Sequence, residues 1–130
     1  MSKRAVFISH SQRDASLARQ LANNLTRLGL TALNPTRRTE SSDWRRQTQS
    51  AIRKADALVL IASPERLTSS WVLYEAGAAE ALGKRVLVLL PDRHLVAELP
   101  EEISVKQVVD FDPQSLELAA QAIAARLAAA

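Results

Sequence analysis

The runs Leu58-Val59-Leu60-Ile61 and Val86-Leu87-Val88-Leu89-Leu90 have no polar residue at alternate positions. A strand with one face in water alternates apolar with polar. A strand that is apolar on both faces must be covered on both, as in a parallel sheet packed between helices. Parallel neighbours cannot be joined by a tight turn, so the segments between strands must cross over, usually as helices. The remaining chain fits this demand. Short apolar runs occur at Ala5 to Ser9, Leu30 to Leu33, Ala57 to Ala62, Arg85 to Leu90 and Gln107 to Val109, which predicts five strands.

Between these runs the period changes to that of a helix. Leu17, Leu21, Leu25 and Leu28 recur at helical spacing, with Gly29 as the expected C-terminal cap and Ser11-Gln12-Arg13-Asp14 as a capping box at the start. Trp44, Thr48, Ala51, Ile52 and Ala55 share one face of a second helix capped by Asp43 or Ser42. A third helix is expected from Ser70 to Leu82, stopped by Gly83, and a last one over Leu116 to Leu127. Pro91 to Lys106, with Pro100 inside it, reads as a loop with room for one short helix. Right-handed crossovers between such strands give an α/β, flavodoxin-like three-layer sandwich. Its five-stranded parallel sheet has order 2-1-3-4-5, with helices on both faces.

With 130 residues and 47% hydrophobic content, the chain reads as one domain able to bury its own core. It has no cysteine, so disulfides, thiolate nucleophiles and thiolate metal sites are absent, and its only histidines, His10 and His94, do not suggest a zinc centre. No metal is expected. The longest apolar run, Val86 to Leu90, is far short of the roughly 20 residues a membrane span needs. No charged-then-apolar leader opens the chain, so a soluble, cytoplasmic protein without membrane contact is expected. The formal charge of +3 comes without any run of five like charges, which gives no reason to expect nucleic acid. Neither a Gly-x-Gly-x-x-Gly pattern nor the phosphate-loop lysine motif occurs, and Gly29 and Gly83 already serve as caps. No cofactor is therefore expected, and any dinucleotide would be a substrate.

One carboxylate stands out. Glu75 lies in Trp71-Val72-Leu73-Tyr74-Glu75-Ala76-Gly77-Ala78-Ala79. Its helical neighbours three and four positions away are Trp71, Val72, Ala78 and Ala79, so no cation can pair with it along the helix. Val72 stands where a capping box would need Ser or Thr. Glu80 shows the ordinary case, with Lys84 four residues on. A carboxylate among apolar neighbours is costly unless another segment or a ligand satisfies it. Doubly wound sheets bind ligands beyond the carboxyl ends of their strands, where the strand order reverses. Here those loops hold Ser9-His10-Ser11, Asn34 to Asp43, and Ser63 to Ser70, which leads into the Glu75 helix. Glu75 is thus expected at the rim of that pocket.

These residues resemble the Toll/interleukin-1 receptor (TIR) domain family, and its bacterial branch most. Three ordered blocks carry the resemblance: Val6-Phe7-Ile8-Ser9-His10-Ser11 with Asp14; Trp44 to Asp56; and Ser63, Ser69-Ser70-Trp71-Val72 and Glu75. It covers residues 4 to about 112, so that 1–130 would be a single TIR domain closed by a C-terminal helix at about 114–128. The resemblance implies cleavage of NAD+ between nicotinamide and ribose, with Glu75 as the catalytic glutamate. It also implies self-association through TIR–TIR contacts, a role in immune, antiphage signalling, and a downstream effector protein that senses the product. Other family members are non-catalytic interaction modules, which is the alternative reading. A second alternative is an enzyme like the nucleoside deoxyribosyltransferases, which use a similar sheet and a helix-borne glutamate. The chain departs from the family where many members carry a glycine shortly before the second-helix tryptophan. It has Ser41-Ser42-Asp43-Trp44 there, in a loop that in the family gates the pocket and contacts neighbouring subunits.

The expected chemistry is simple. Nicotinamide leaves as a neutral pyridine, so no acid must protonate it, and one carboxylate can stabilise a ribosyl cation resembling that of glycoside hydrolysis. Water as acceptor gives ADP-ribose, and the adenylate end gives a cyclic product. The expected substrate-binding set is Ser9, His10, Ser11, Asn34, Arg37, Trp44, Ser63 and Trp71. Several have structural readings beside the functional one. Ser11 suits an N-cap, His10 a turn, and Trp44 the packing of its helix on the sheet. Trp44 and Trp71 could also stack on a flat heterocycle, and Arg37, Arg38, Arg45 and Arg46 either meet the pyrophosphate or are simply solvated.

Overall fold

The structure, a computed structural model, describes residues 4–33, 44–61, 70–90, 107–112 and 114–128. Five parallel strands, β1 (Ala5–Ser9), β2 (Thr31–Leu33), β3 (Ala57–Ile61), β4 (Arg85–Leu90) and β5 (Gln107–Asp110), form one sheet in the order β2-β1-β3-β4-β5. Four α-helices are seen among the described residues: α1 (Ala15–Arg27), α2 (Trp44–Lys54), α3 (Ser70–Ala81) and α4 (Leu116–Ala128). The expected strand order and element sequence are those observed. The expected Asp43 or Ser42 cap and the segment 91–106 lie outside the described residues.

The pleat sorts side chains into two cores. Val6, Ile8, Ala57, Val59, Ile61, Leu87 and Leu89 face α1 and α4, where Leu21, Leu25, Ala120 and Ile123 meet them. Phe7, Leu58, Leu60, Val86, Val88 and Leu90 face α2 and α3, through Ile52, Ala55 and Ala79. Both central strands, β3 and β4, are therefore covered on both sides, which is why they show no alternation. On α2 the expected face is seen, with Thr48, Ile52 and Ala55 buried and Ala51 partly so.

Two polar staples align the sheet's amino-terminal end. The Ala5 N–H donates to Asp56 Oδ2 at 2.7 Å, and the Asp56 N–H donates back to Ala5 O at 2.7 Å. Across the start of β4, Arg85 Nη1 donates to Arg126 O at 2.6 Å, placing a cation in the last turn of α4, where the helix dipole favours it.

Both expected glycine caps are realised in the same way. Gly29 and Gly83 have φ of +87° and +72°. Gly29 N–H donates to Thr26 O and Leu30 N–H to Leu25 O, and the same pair of bonds recurs from Gly83 to Glu80 O and from Lys84 to Ala79 O. This is the Schellman arrangement, which turns the chain straight into the next strand. It also carries Leu28 out of the apolar stripe expected of it, leaving that side chain 45% exposed. The expected capping box is not formed. A single 3-10 turn, Gln12–Asp14, precedes α1, and Ser11 Oγ donates to Asp14 Oδ2 at 3.1 Å instead of accepting from a helix N–H.

The glycines predict opposite responses to alanine. Gly29→Ala forces a left-handed residue and should cost about 1 kcal/mol or more. At Gly77 an added Cβ meets nothing within 4 Å, so Gly77→Ala should stabilise by up to about 1 kcal/mol. Urea unfolding midpoints check both signs.

Candidate functional site

The pleat of β1 decides where Ser9 points. Val6 and Ile8 face α1 and α4, so Phe7 and Ser9 face the opposite side, towards α2 and α3. Ser9 is the last residue of β1 and pairs in register with Leu60 of β3, which places it at the strand's carboxyl end next to the reversal in strand order. On α3, Glu75 lies one turn from Ala79, whose side chain packs in the core beneath that helix. Small residues on the buried side of α3, Ala76 and Ala79, let its backbone come close to the sheet.

The two side chains meet. Ser9 Oγ donates to Glu75 Oε1 at 2.7 Å, and both residues are 0% exposed. Another segment thus does what no residue on the helix could do. The distance is the ordinary one for a hydroxyl donating to an oxygen acceptor. The carboxylate sits deeper than expected: Glu75 is enclosed and not at a rim.

The turn after β1 is bonded internally. His10 is fully buried, with Nδ1 2.9 Å from Ser11 O. A carbonyl only accepts, so Nδ1 carries a proton in this bond. The same carbonyl accepts from the Asp14 N–H at 3.0 Å, and Ser11 Oγ reaches the Asp14 carboxylate. Asp14 is only 3% exposed, so the residue assigned to capping is a buried member of this turn.

Of the expected site residues, the structure brings Glu75 and Ser9 into contact, and His10 and Ser11 follow Ser9 in the chain. Asn34, Arg37 and Ser63 lie outside the described residues, as do the side chains of Trp44 and Trp71. The backbone of Trp71 lies in the first turn of α3, one turn before Glu75, and Trp44 is the first residue of α2. Sequence reasoning missed one contact near the site. Gln49 Nε2 donates to Tyr74 Oη at 3.0 Å, tying α2 to α3 next to Glu75. No periodicity signals it, because both groups lie off the apolar stripes.

Among the described residues no cluster of three His, Cys, Asp or Glu side chains could hold a metal ion. No helix among them is long and apolar enough to cross a membrane. An open cavity of about 420 Å³ lies between the end of β2 and the outer side of α2, lined by Leu33, Arg46, Gln47, Ser50, Ala51 and Lys54. It does not include Glu75. Arg46 is exposed there.

The likeness to known proteins follows the same architecture. The chain is similar to the TIR domain of the Toll-related receptor TRR-2 from Hydra magnipapillata, with 15% identity and a TM-score of 0.70, over 94% of this chain and 96% of that one. It is similar to the CMP N-glycosidase BcmB of Clostridium botulinum, with 20% identity and a TM-score of 0.61, over 95% and 99% of the two chains. A TIR-STING receptor from C. gigas is similar at 20% identity and a TM-score of 0.62, over 88% of this chain and 38% of that longer one. At these identities the likeness is one of fold. No curated protein matches the sequence. The family model of the TIR domain matches residues 6–127, the three blocks around Ser9, α2 and Glu75 included, and the chain belongs to the TIR domain family.

Proposed function

We propose that this TIR domain cleaves NAD+ at the bond between nicotinamide and ribose, with Glu75 as the catalytic residue. The observation that carries the reading is the buried carboxylate of Glu75 at the carboxyl end of β1, bonded to a hydroxyl and without a cation on its own helix. A carboxylate in so enclosed a place acts on a developing positive charge far more strongly than one in water. Nicotinamide departs neutral, and the ribosyl cation left behind is the charge Glu75 would stabilise. Its two oxygens accept more bonds than the Ser9 hydroxyl fills, so a ribose hydroxyl can bond the same carboxylate beside Ser9. Water then gives ADP-ribose, or the adenylate end gives a cyclic product. NAD+ is consumed as substrate, and no cofactor or metal enters the scheme.

In the same reading the protein belongs to the bacterial branch of the family, acts in the cytoplasm in antiphage immune signalling, and passes its product to an effector protein. Its carboxylate is 0% exposed in the single chain, so substrate needs a rearrangement to reach it. Self-association of TIR domains supplies that event.

A second reading is favoured by one observation. The similar fold of a CMP N-glycosidase spans nearly the whole of both chains, and that enzyme is named for a nucleotide's N-glycosidic bond. A base such as cytosine leaves less readily than nicotinamide and calls for a proton donor. Offering NAD+, CMP and deoxynucleosides separately distinguishes these enzymes. A non-catalytic interaction module would turn over none of them.

Two outcomes are expected. Purified protein should release nicotinamide from NAD+, measured by chromatography, and Glu75→Gln should lower the rate by about a hundredfold or more, the scale of losing one preorganised charge-stabilising group. Release unaffected by that substitution would remove Glu75 from the chemistry. The wild-type rate per molecule should also rise with protein concentration, and a constant rate per molecule would separate activity from assembly.

A further inference from the structure

The geometry points to Ser9 as a positioning residue that acts through Glu75, its one proton committed to that carboxylate; the inference rests on the NAD+ reading above. A serine hydroxyl has one proton to give. Ser9 gives it to Glu75 Oε1 at 2.7 Å, in surroundings where both residues are fully buried. That proton is thus unavailable to a ribose or a nicotinamide amide while the bond stands.

The bond gives Glu75 a fixed support. A glutamate has three side-chain torsions, and the neighbours on its own helix offer no charge to fix them. Ser9 is held firmly by contrast. Its backbone is the last residue of a strand paired on one side with β3, at Leu60, and β1 pairs with β2 on the other. The turn that follows is closed by the His10, Ser11 and Asp14 bonds. The bond therefore transfers the rigidity of the sheet to the one carboxylate assigned to the reaction. Small displacements of a reacting group cost up to about a hundredfold in rate.

The experiment is steady-state NAD+ cleavage by the full chain and its Ser9→Ala and Ser9→Thr variants, with thermal unfolding to confirm that each is folded. Ser9→Ala removes one buried oxygen and adds no volume, and the stability lost by leaving an acceptor of Glu75 without this bond is read in the unfolding midpoint. The substitution should lower kcat about tenfold to a hundredfold and leave KM within about twofold, the pattern of an interaction that matters in the transition state. Ser9→Thr keeps the hydroxyl and should recover most of kcat. If the added methyl prevents folding, Ser9→Cys, a weaker donor of similar shape, should fall between wild type and alanine. A raised KM with unchanged kcat would show that Ser9 binds substrate and would overturn the inference. Unchanged kcat and KM, or a loss that neither hydroxyl nor thiol restores, would overturn it too. Wild-type protein that leaves NAD+ intact at every concentration defeats the parent reading, and the inference falls with it. Active wild type with the wrong Ser9 pattern defeats the inference alone.

Discussion

A carboxylate cannot be closed inside an apolar interior without partners, and the bond from Ser9 gives Glu75 one that is itself buried. Each end of the bond follows from a different periodicity. The two-residue repeat of β1 turns Ser9 towards α3, and the i, i+4 relation along α3 puts Glu75 on the same side as Ala79, against the sheet. Moving either element by one residue would turn one partner away. Both elements are held in register by large buried clusters, one on each face of the sheet. The site is thus a consequence of the core.

The sheet's own constraint explains the rest of the layout. β3 and β4 are buried on both faces, so helices must cover both sides, and the connections between parallel strands become those helices. In the order β2-β1-β3-β4-β5 the chain steps from β1 to β2 on one side and then crosses back over β1 to β3 on the other. Its carboxyl end is where crossovers diverge and leave a crevice. Ser9, His10 and Ser11 occupy that end, and α3 brings Glu75 to it.

Much of this was legible before any coordinates. The unbroken apolar runs implied the parallel sheet, Gly29 and Gly83 marked helix ends, and the lack of helix partners singled out Glu75. Other features were not legible, for physical reasons. Which residue satisfies Glu75 depends on a contact between positions 66 residues apart, which no local pattern encodes. The Ser11 to Asp14 spacing suits a capping box, yet the pair closes a 3-10 turn because Asp14 is buried, and burial is a tertiary property. Leu28 fits the helical stripe, but the cap begins one residue too early for it to be buried. The Gln49 and Tyr74 bond involves two polar groups whose types allow many partners.

The TIR fold accommodates binding modules as well as enzymes, so the fold alone does not assign a reaction; the site must. Here the candidate site is a buried, hydroxyl-supported carboxylate at the switch point of the sheet. The most direct test is a crystal structure of the Glu75→Gln protein with NAD+ bound. The account predicts the nicotinamide-side ribose within hydrogen-bonding distance of the side chain at position 75. NAD+ bound elsewhere, with that side chain still enclosed against Ser9, would contradict it.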